Sequence, residues 1–350
     1  MQYLSIGDLL LESGQVLPEV IVAYETFGRL DPDGANAVLV THGLTSGTDM
    51  LTPSKLTGEG SWSDLLGPGH ALDSQLYFTI CSNVIGSCLG STGPASKRPG
   101  SDTHWGPDFP ALTVSDMVKA QHALLRALGV TKLQCVLGPS YGGMQALQWA
   151  IDQPEWVRSI GVIVSGLSWP EAMRPEPLRQ RLAADPTWKH GWYSLGVDLI
   201  QTMASLRHET LESYGVRQLL EKRWPDQPER IEHALDAASQ VWGRQFDANA
   251  LLTLQAAGEQ FDVRNRLREI RCPVLFVPSR TDLIFPPVPQ DREPMLEAWP
   301  DLTYLELDTP YGHSASGAEL GQWEPALHDL LAQARHASRL SSRDSIEAPQ

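Results

Sequence analysis

The chain has 350 residues, 42% of them hydrophobic and 20% charged, which is ordinary globular composition with enough apolar material for a sizeable core. Asp+Glu 42 against Lys+Arg 27 gives a net charge of -15, and no basic run interrupts it, so nucleic acid and anionic membrane surfaces are excluded as partners. No apolar stretch reaches the ~20 residues of a membrane span, and the opening MQYLSIGDLLLESGQ lacks the basic start of a secretory leader. A cytoplasmic protein is expected. Cys81, Cys88, Cys135 and Cys272 form no CxxC pair, and Cys135 and Cys272 lie in apolar runs that read as sites for buried thiols.

In chain order, residues 19–26 (EVIVAYET) alternate apolar and polar as a half-buried strand does, and 37–41 (AVLVT) form a short buried strand. A loop follows at His42-Gly43-Leu44-Thr45-Ser46-Gly47. Residues 76–81 (LYFTIC) give another strand, ending in the Gly/Ser-rich stretch 86–96. The spacing predicts a helix over 114–128, with Ser115 as its N-cap and Gly129 as its stop. Residues 133–137 (LQCVL) are a strand and 143–152 a helix. This alternation predicts an α/β fold with a mostly parallel sheet covered by helices on both faces.

Residues 168–262 change character. They are rich in Trp, Arg, Gln and Glu, hold no convincing strand, and show helical spacing at Leu195–Leu199 and Ile200–Met203. They read as a helical lid inserted into the α/β pattern. The pattern resumes with strands at 273–278 and 302–307 and a final helix at 323–334. The expected organisation is therefore a core of residues 1–167 and 263–336, a lid of 168–262, and a disordered tail of 337–350.

The sharpest local signal is Gly138-Pro139-Ser140-Tyr141-Gly142-Gly143, a G-x-S-x-G between a buried strand and a helix. That context is what a nucleophile elbow requires, and the helix N-terminus favours developing negative charge. A nucleophilic serine needs a base, and the base an orienting acid, in the chain order Ser, Asp, His. Asp282 follows strand 273–278 and His313 follows strand 302–307, so both fit that order. Asp308, His328 and His336 fit it less well. An oxyanion hole needs two backbone N–H donors, expected from Tyr141 and from Leu44 in the early loop. No GxxxxGK[ST], GxGxxG or HExxH motif is present and the histidines are scattered, so no cofactor and no metal is expected.

Beyond these motifs, longer segments resemble the homoserine O-acetyltransferases, an α/β-hydrolase-fold family. They include VAYETFGRLDPDGANAVLVTHGLT (22–45), ICSNVIGSCLGSTGPAS (80–96), GPSYGGMQALQWA (138–150), RQFDANALLTLQAAGEQFDV (244–263) and PVLFVPSRTDLIFPP (273–287). The resemblance implies ping-pong acyl transfer from acetyl-CoA or a small-molecule acyl ester through Ser140, and a homodimer built on the lid. It also implies an arginine of an R-Q motif binding the acceptor's carboxylate, and Arg179-Gln180 stands in that place. Arg179 could equally pair with a lid carboxylate such as Asp185.

One departure bears on the acceptor. The family pattern after the catalytic histidine is G-H-D-A, its aspartate holding an ammonium, whereas this chain reads Gly312-His313-Ser314-Ala315. An ammonium without a charged partner in a closed site costs about 2–5 kcal/mol. On sequence alone, hydrolysis of short-chain acetate esters, with water as acceptor, is therefore favoured over transfer to homoserine.

Overall fold

The computed structural model describes residues 1–53 and 62–344. Eight strands are β1 (Gln2–Leu10), β2 (Val16–Phe27), β3 (Ala37–Thr41), β4 (Phe78–Ser82), β5 (Leu133–Pro139), β6 (Ile160–Ile163), β7 (Val274–Val277) and β8 (Leu302–Tyr304). They form one sheet in the order β1-β2-β4-β3-β5-β6-β7-β8. The β1–β2 and β2–β4 pairs are antiparallel and all the others are parallel.

The central parallel strands β3, β5, β6 and β7 are short, mostly apolar and buried along their whole length, because both their faces are covered. Alternation sorts β3 between two clusters. Ala37 and Leu39 join the one that includes Met117, Leu124, Met144 and Leu147, from α1 (Val114–Ala127) and α2 (Tyr141–Asp152). Val38 and Val40 join the one that includes Trp323, Leu327 and Leu331 of the C-terminal helix. The predicted helix at 114–128 is present, but its N-cap is Thr113. The Thr113 hydroxyl accepts from the Asp116 N–H, and the Asp116 carboxylate accepts in turn from the Thr113 N–H, so the capping box lies two residues before the expected Ser115. Ser115 instead donates to Asp152 at 2.6 Å.

Between β6 and β7 the chain forms α3 (Pro175–Ala184), α4 (Ile200–Ser213), α5 (Val216–Arg223), α6 (Pro228–Gln245) and α7 (Ala248–Glu259). This insertion leaves and rejoins the sheet side by side, through an antiparallel bridge between Ser168 and Asp262. Leu211, Tyr214, Val216, Leu220, Ile231 and Leu235 give α4, α5 and α6 a small apolar cluster of their own. Leu195 and Leu199 do not share a helix, because Leu199 is left-handed at φ 61° and α4 begins only after it. After β7 come α8 (Pro289–Ala298), α9 (Ala315–Ala318) and α10 (Leu320–Asp344). The last helix corrects the expected tail: its backbone is helical to Asp344, and residues 345–350 lie outside the described residues. Among the described residues no helix is long and apolar enough to cross a membrane.

Candidate active site

Ser140 stands at the abrupt joint between β5 and α2, with φ 54° and ψ -121°, a conformation costly for a residue with a Cβ. The surroundings hold it there. Its N–H donates to Ile163 O at 2.9 Å, and its carbonyl accepts from Gly143 N at 2.9 Å and Ser165 Oγ at 2.7 Å. The turn also demands a residue without a side chain at 142, where a Cβ would lie 2.2 Å from the Thr41 carbonyl oxygen at the end of β3. Thr41 Oγ1 donates to the carbonyls of Leu137 and Gly142, at 3.1 and 2.8 Å, and so ties β3 to the elbow.

His313 and Asp282 come together from the loops after β8 and β7. His313 Nδ1 lies 2.8 Å from Asp282 Oδ2, with both side chains buried. The other carboxylate oxygen accepts the N–H groups of Ile284 and Phe285 at 2.8 and 3.1 Å, which fixes its direction. A bridge between Ser279 and Leu307 and the Thr281 Oγ1 bond to Thr309 O, 2.6 Å, join the two loops. Asp308, the weaker competitor in sequence, is exposed and pairs with Arg280.

Ser140 and His313 line one cavity of about 240 Å³, together with Gly43, Leu44, Asp49, Ser314 and, from the insertion, Arg207, Tyr214 and Trp242. Among the described residues no hydrogen bond joins Ser140 Oγ to the imidazole. Such bonds commonly tighten only with substrate in place. The backbone N–H groups of Leu44 and Tyr141 donate to nothing among the described residues. Ser314 is buried, its N–H donates to Tyr214 O at 2.8 Å, and its hydroxyl has no partner among the described residues.

Arg179 does not reach this cavity. It projects from α3, is 57% exposed, pairs with Glu176 at 3.6 Å and borders a separate groove with Phe109, Leu112 and Trp188. It pairs with a lid carboxylate, but with the one a turn before it on its own helix and not with Asp185. Arg207 on α4, only 9% exposed, lines the same cavity as Ser140. It donates to Thr45 Oγ1 at 3.1 Å, and its guanidinium lies 5.5 Å from the centre of the Trp242 ring. A signal for it was present in the sequence. Arg207 shares a helical stripe with Ala204 and Leu211, and a charge on an apolar stripe needs a reason to be there.

The four cysteines are free, and burial pushes the thiols of Cys88, Cys135 and Cys272 up to about 12, so none is a ready nucleophile. Among the described residues no group of His, Cys, Asp and Glu is placed to hold a metal ion.

A family model described as the alpha/beta hydrolase fold matches residues 36–317. Homoserine O-acetyltransferase of Methanohalobium evestigatum is 34% identical, over 95% of this chain and 75% of that relative. The crystal structure of homoserine O-acetyltransferase from Bacillus anthracis superposes with a TM-score of 0.82 at 23% identity, covering 94% of this chain and 96% of that one. That of esterase E22 gives 0.82 at 24% identity, covering 94% and 99%. At those identities the two structures speak for the fold alone. The sequence relative and the family model carry the assignment: the chain belongs to the homoserine O-acetyltransferase family of α/β-hydrolase-fold proteins.

Proposed function

We propose that Ser140, His313 and Asp282 form a catalytic triad that carries a short acyl group from a thioester or ester donor to the hydroxyl of a carboxylate-bearing acceptor of the homoserine type. His313 Nε2 takes the Ser140 proton as Oγ attacks the donor carbonyl. The oxyanion is met by the N–H groups of Leu44 and Tyr141, whose lack of other partners among the described residues supports that role. The tetrahedral species collapses, the leaving thiolate or alkoxide takes the proton from His313, and Ser140 is left acylated. His313 then removes the acceptor's hydroxyl proton, the acceptor oxygen attacks the acyl carbonyl, and the bond to Oγ breaks with return of the proton to Ser140.

Arg207 is the observation that carries the choice of acceptor. A buried guanidinium in the nucleophile's own cavity suits a carboxylate, and water as acceptor has no use for it. This reverses the order favoured by sequence alone. The second reading, hydrolysis of short-chain esters, rests on Ser314, whose neutral hydroxyl supplies no charge for an ammonium. Acetyl-CoA supplied with and without L-homoserine, and separately p-nitrophenyl acetate, tests both. Saturable, homoserine-dependent CoA release is expected. Acetate as sole product at a rate homoserine does not alter would hand the site to the hydrolase reading.

A homodimer through the insertion belongs to the same proposal, supported by Trp192, Leu195 and Val197, which are exposed there. Light scattering after gel filtration checks it, and a monomer at micromolar concentration would refute it. The free thiols suit a cytoplasmic setting.

A further inference from the structure

His42 is fully buried and touches neither Ser140 nor His313 through a hydrogen bond, yet the hydrogen bonds around it fix its chemical state. Its Nε2 is 3.0 Å from the backbone N of Val84. A backbone N–H can only donate, so Nε2 accepts and is unprotonated. The ring proton therefore sits on Nδ1, which lies 2.8 Å from the carbonyl oxygen of Gly43. Burial lowers the imidazole's proton affinity and keeps the ring neutral. The main chain on either side is held too: the His42 carbonyl accepts from Gln145 Nε2 at 3.2 Å, which binds it to α2.

The Gly43 oxygen belongs to the same peptide group as the Leu44 N–H. In a trans peptide these two point in opposite directions, so anchoring the oxygen aims the hydrogen. Three donors converge on that oxygen: His42 Nδ1–H, Ser46 N–H at 3.3 Å and Ser46 Oγ at 3.3 Å. A carbonyl that accepts hydrogen bonds also polarises its own amide and makes the N–H at the other end a better donor. The Leu44 N–H has no partner among the described residues, and Leu44 lines the cavity of Ser140.

We infer that neutral His42, as its Nδ1–H tautomer, is a positioning residue for the oxyanion hole, holding and polarising the Gly43–Leu44 peptide through the Gly43 carbonyl. The inference rests on the acyl-enzyme reading above. Its prediction is specific, because the ring's two bonds separate by substitution. His42→Gln can place an acceptor near the Nε2 position for Val84 but loses the Nδ1 donor. His42→Asn can place an amide donor near the Nδ1 position.

The experiment measures kcat, KM and the inhibition constant of an aryl trifluoromethyl ketone, whose adduct carries an oxyanion, for the wild type and both variants. His42→Gln is expected to lower kcat about 10- to 100-fold, less than the loss of a whole oxyanion donor. Its KM should stay within about threefold, and its ketone affinity should fall by the same factor as kcat. His42→Asn should recover most of both. A Gln variant with wild-type kcat, or one whose kcat falls while ketone affinity holds, overturns the inference. If both variants fail to fold, ring ¹⁵N correlation spectra of selectively histidine-labelled wild type decide, and an Nε2–H tautomer at His42 overturns it. Mass spectrometry of wild type with acetyl-CoA or p-nitrophenyl acetate separates the two layers. Absence of acylated Ser140 defeats the functional reading, whereas acylated wild type with indifferent variants defeats only the role of His42.

Discussion

The sheet and the helical insertion build the same cavity by different means. The sheet contributes Ser140, His313, Asp282 and the Gly43–Ser46 loop from positions at or just after the ends of β3, β5, β7 and β8. Ser140 and Asp282 are fixed by backbone hydrogen bonds, and His313 is held by the Asp282 carboxylate. The insertion contributes Arg207, Tyr214 and Trp242 as side chains from helices that share their own small cluster. Under the proposed function, chemistry would come from the sheet and choice of acceptor from the insertion.

Substitutions on the two sides should therefore fail differently. Ser140→Ala is the largest case: turnover of any acyl donor should drop by about 10⁴-fold or more, with the fold intact by circular dichroism. Next is Gly215→Val, at the turn between α4 and α5. Gly215 has φ 80°, and a Cβ there would lie 2.5 Å from the Tyr311 carbonyl oxygen. A cost of about 1–3 kcal/mol is expected in thermal unfolding, with kcat falling because the histidine loop is displaced. Arg207→Leu should raise the acceptor KM at least about tenfold while donor acylation of Ser140, followed as a burst, changes little. An equal loss in both half-reactions would erase the division of labour.

Acidification should produce a gentler effect through His42. Burial is the main influence on it and lowers its pKa from the ordinary 6.5, against opposing pulls from the Gly43 carbonyl and Asp49. The unfolded chain then takes up the proton first as pH falls. The stability that neutral His42 contributes is complete above about 6.5 and declines below it, visible as a shallower melting curve against pH in His42→Gln. Least of all, Arg179→Ala should leave kcat and acceptor KM within about twofold, since a solvent-exposed ion pair on one helix is worth little.

How much of this was legible beforehand follows the same division. Parallel strands announce themselves as apolar runs, and residues at strand ends inherit their place from topology, so Ser140, Asp282 and His313 could be set in order along the chain. Even there β6 leaves little trace, because Ile160–Ile163 is only four residues long and closely follows the end of α2. The insertion gave no such purchase. Which of its arginines faces inward depends on how α3 and α4 rotate and cross, and spacing along one helix does not record the orientation of its neighbours. Arg179 stands out through its neighbour Gln180, whereas Arg207 is marked only by the apolar company it keeps.

The bond from Ser314 N–H to Tyr214 O gives α4 a mechanical part. A helix of 14 residues behaves as a rod roughly 21 Å long, and Arg207 stands two turns before Tyr214, about 10 Å along the axis. Whatever pulls on Arg207 therefore pulls on the peptide directly after His313. If Arg207 holds the acceptor as proposed, grip and alignment of His313 sit at two points of one lever, and re-engineering α4 for a new acceptor would retune the histidine.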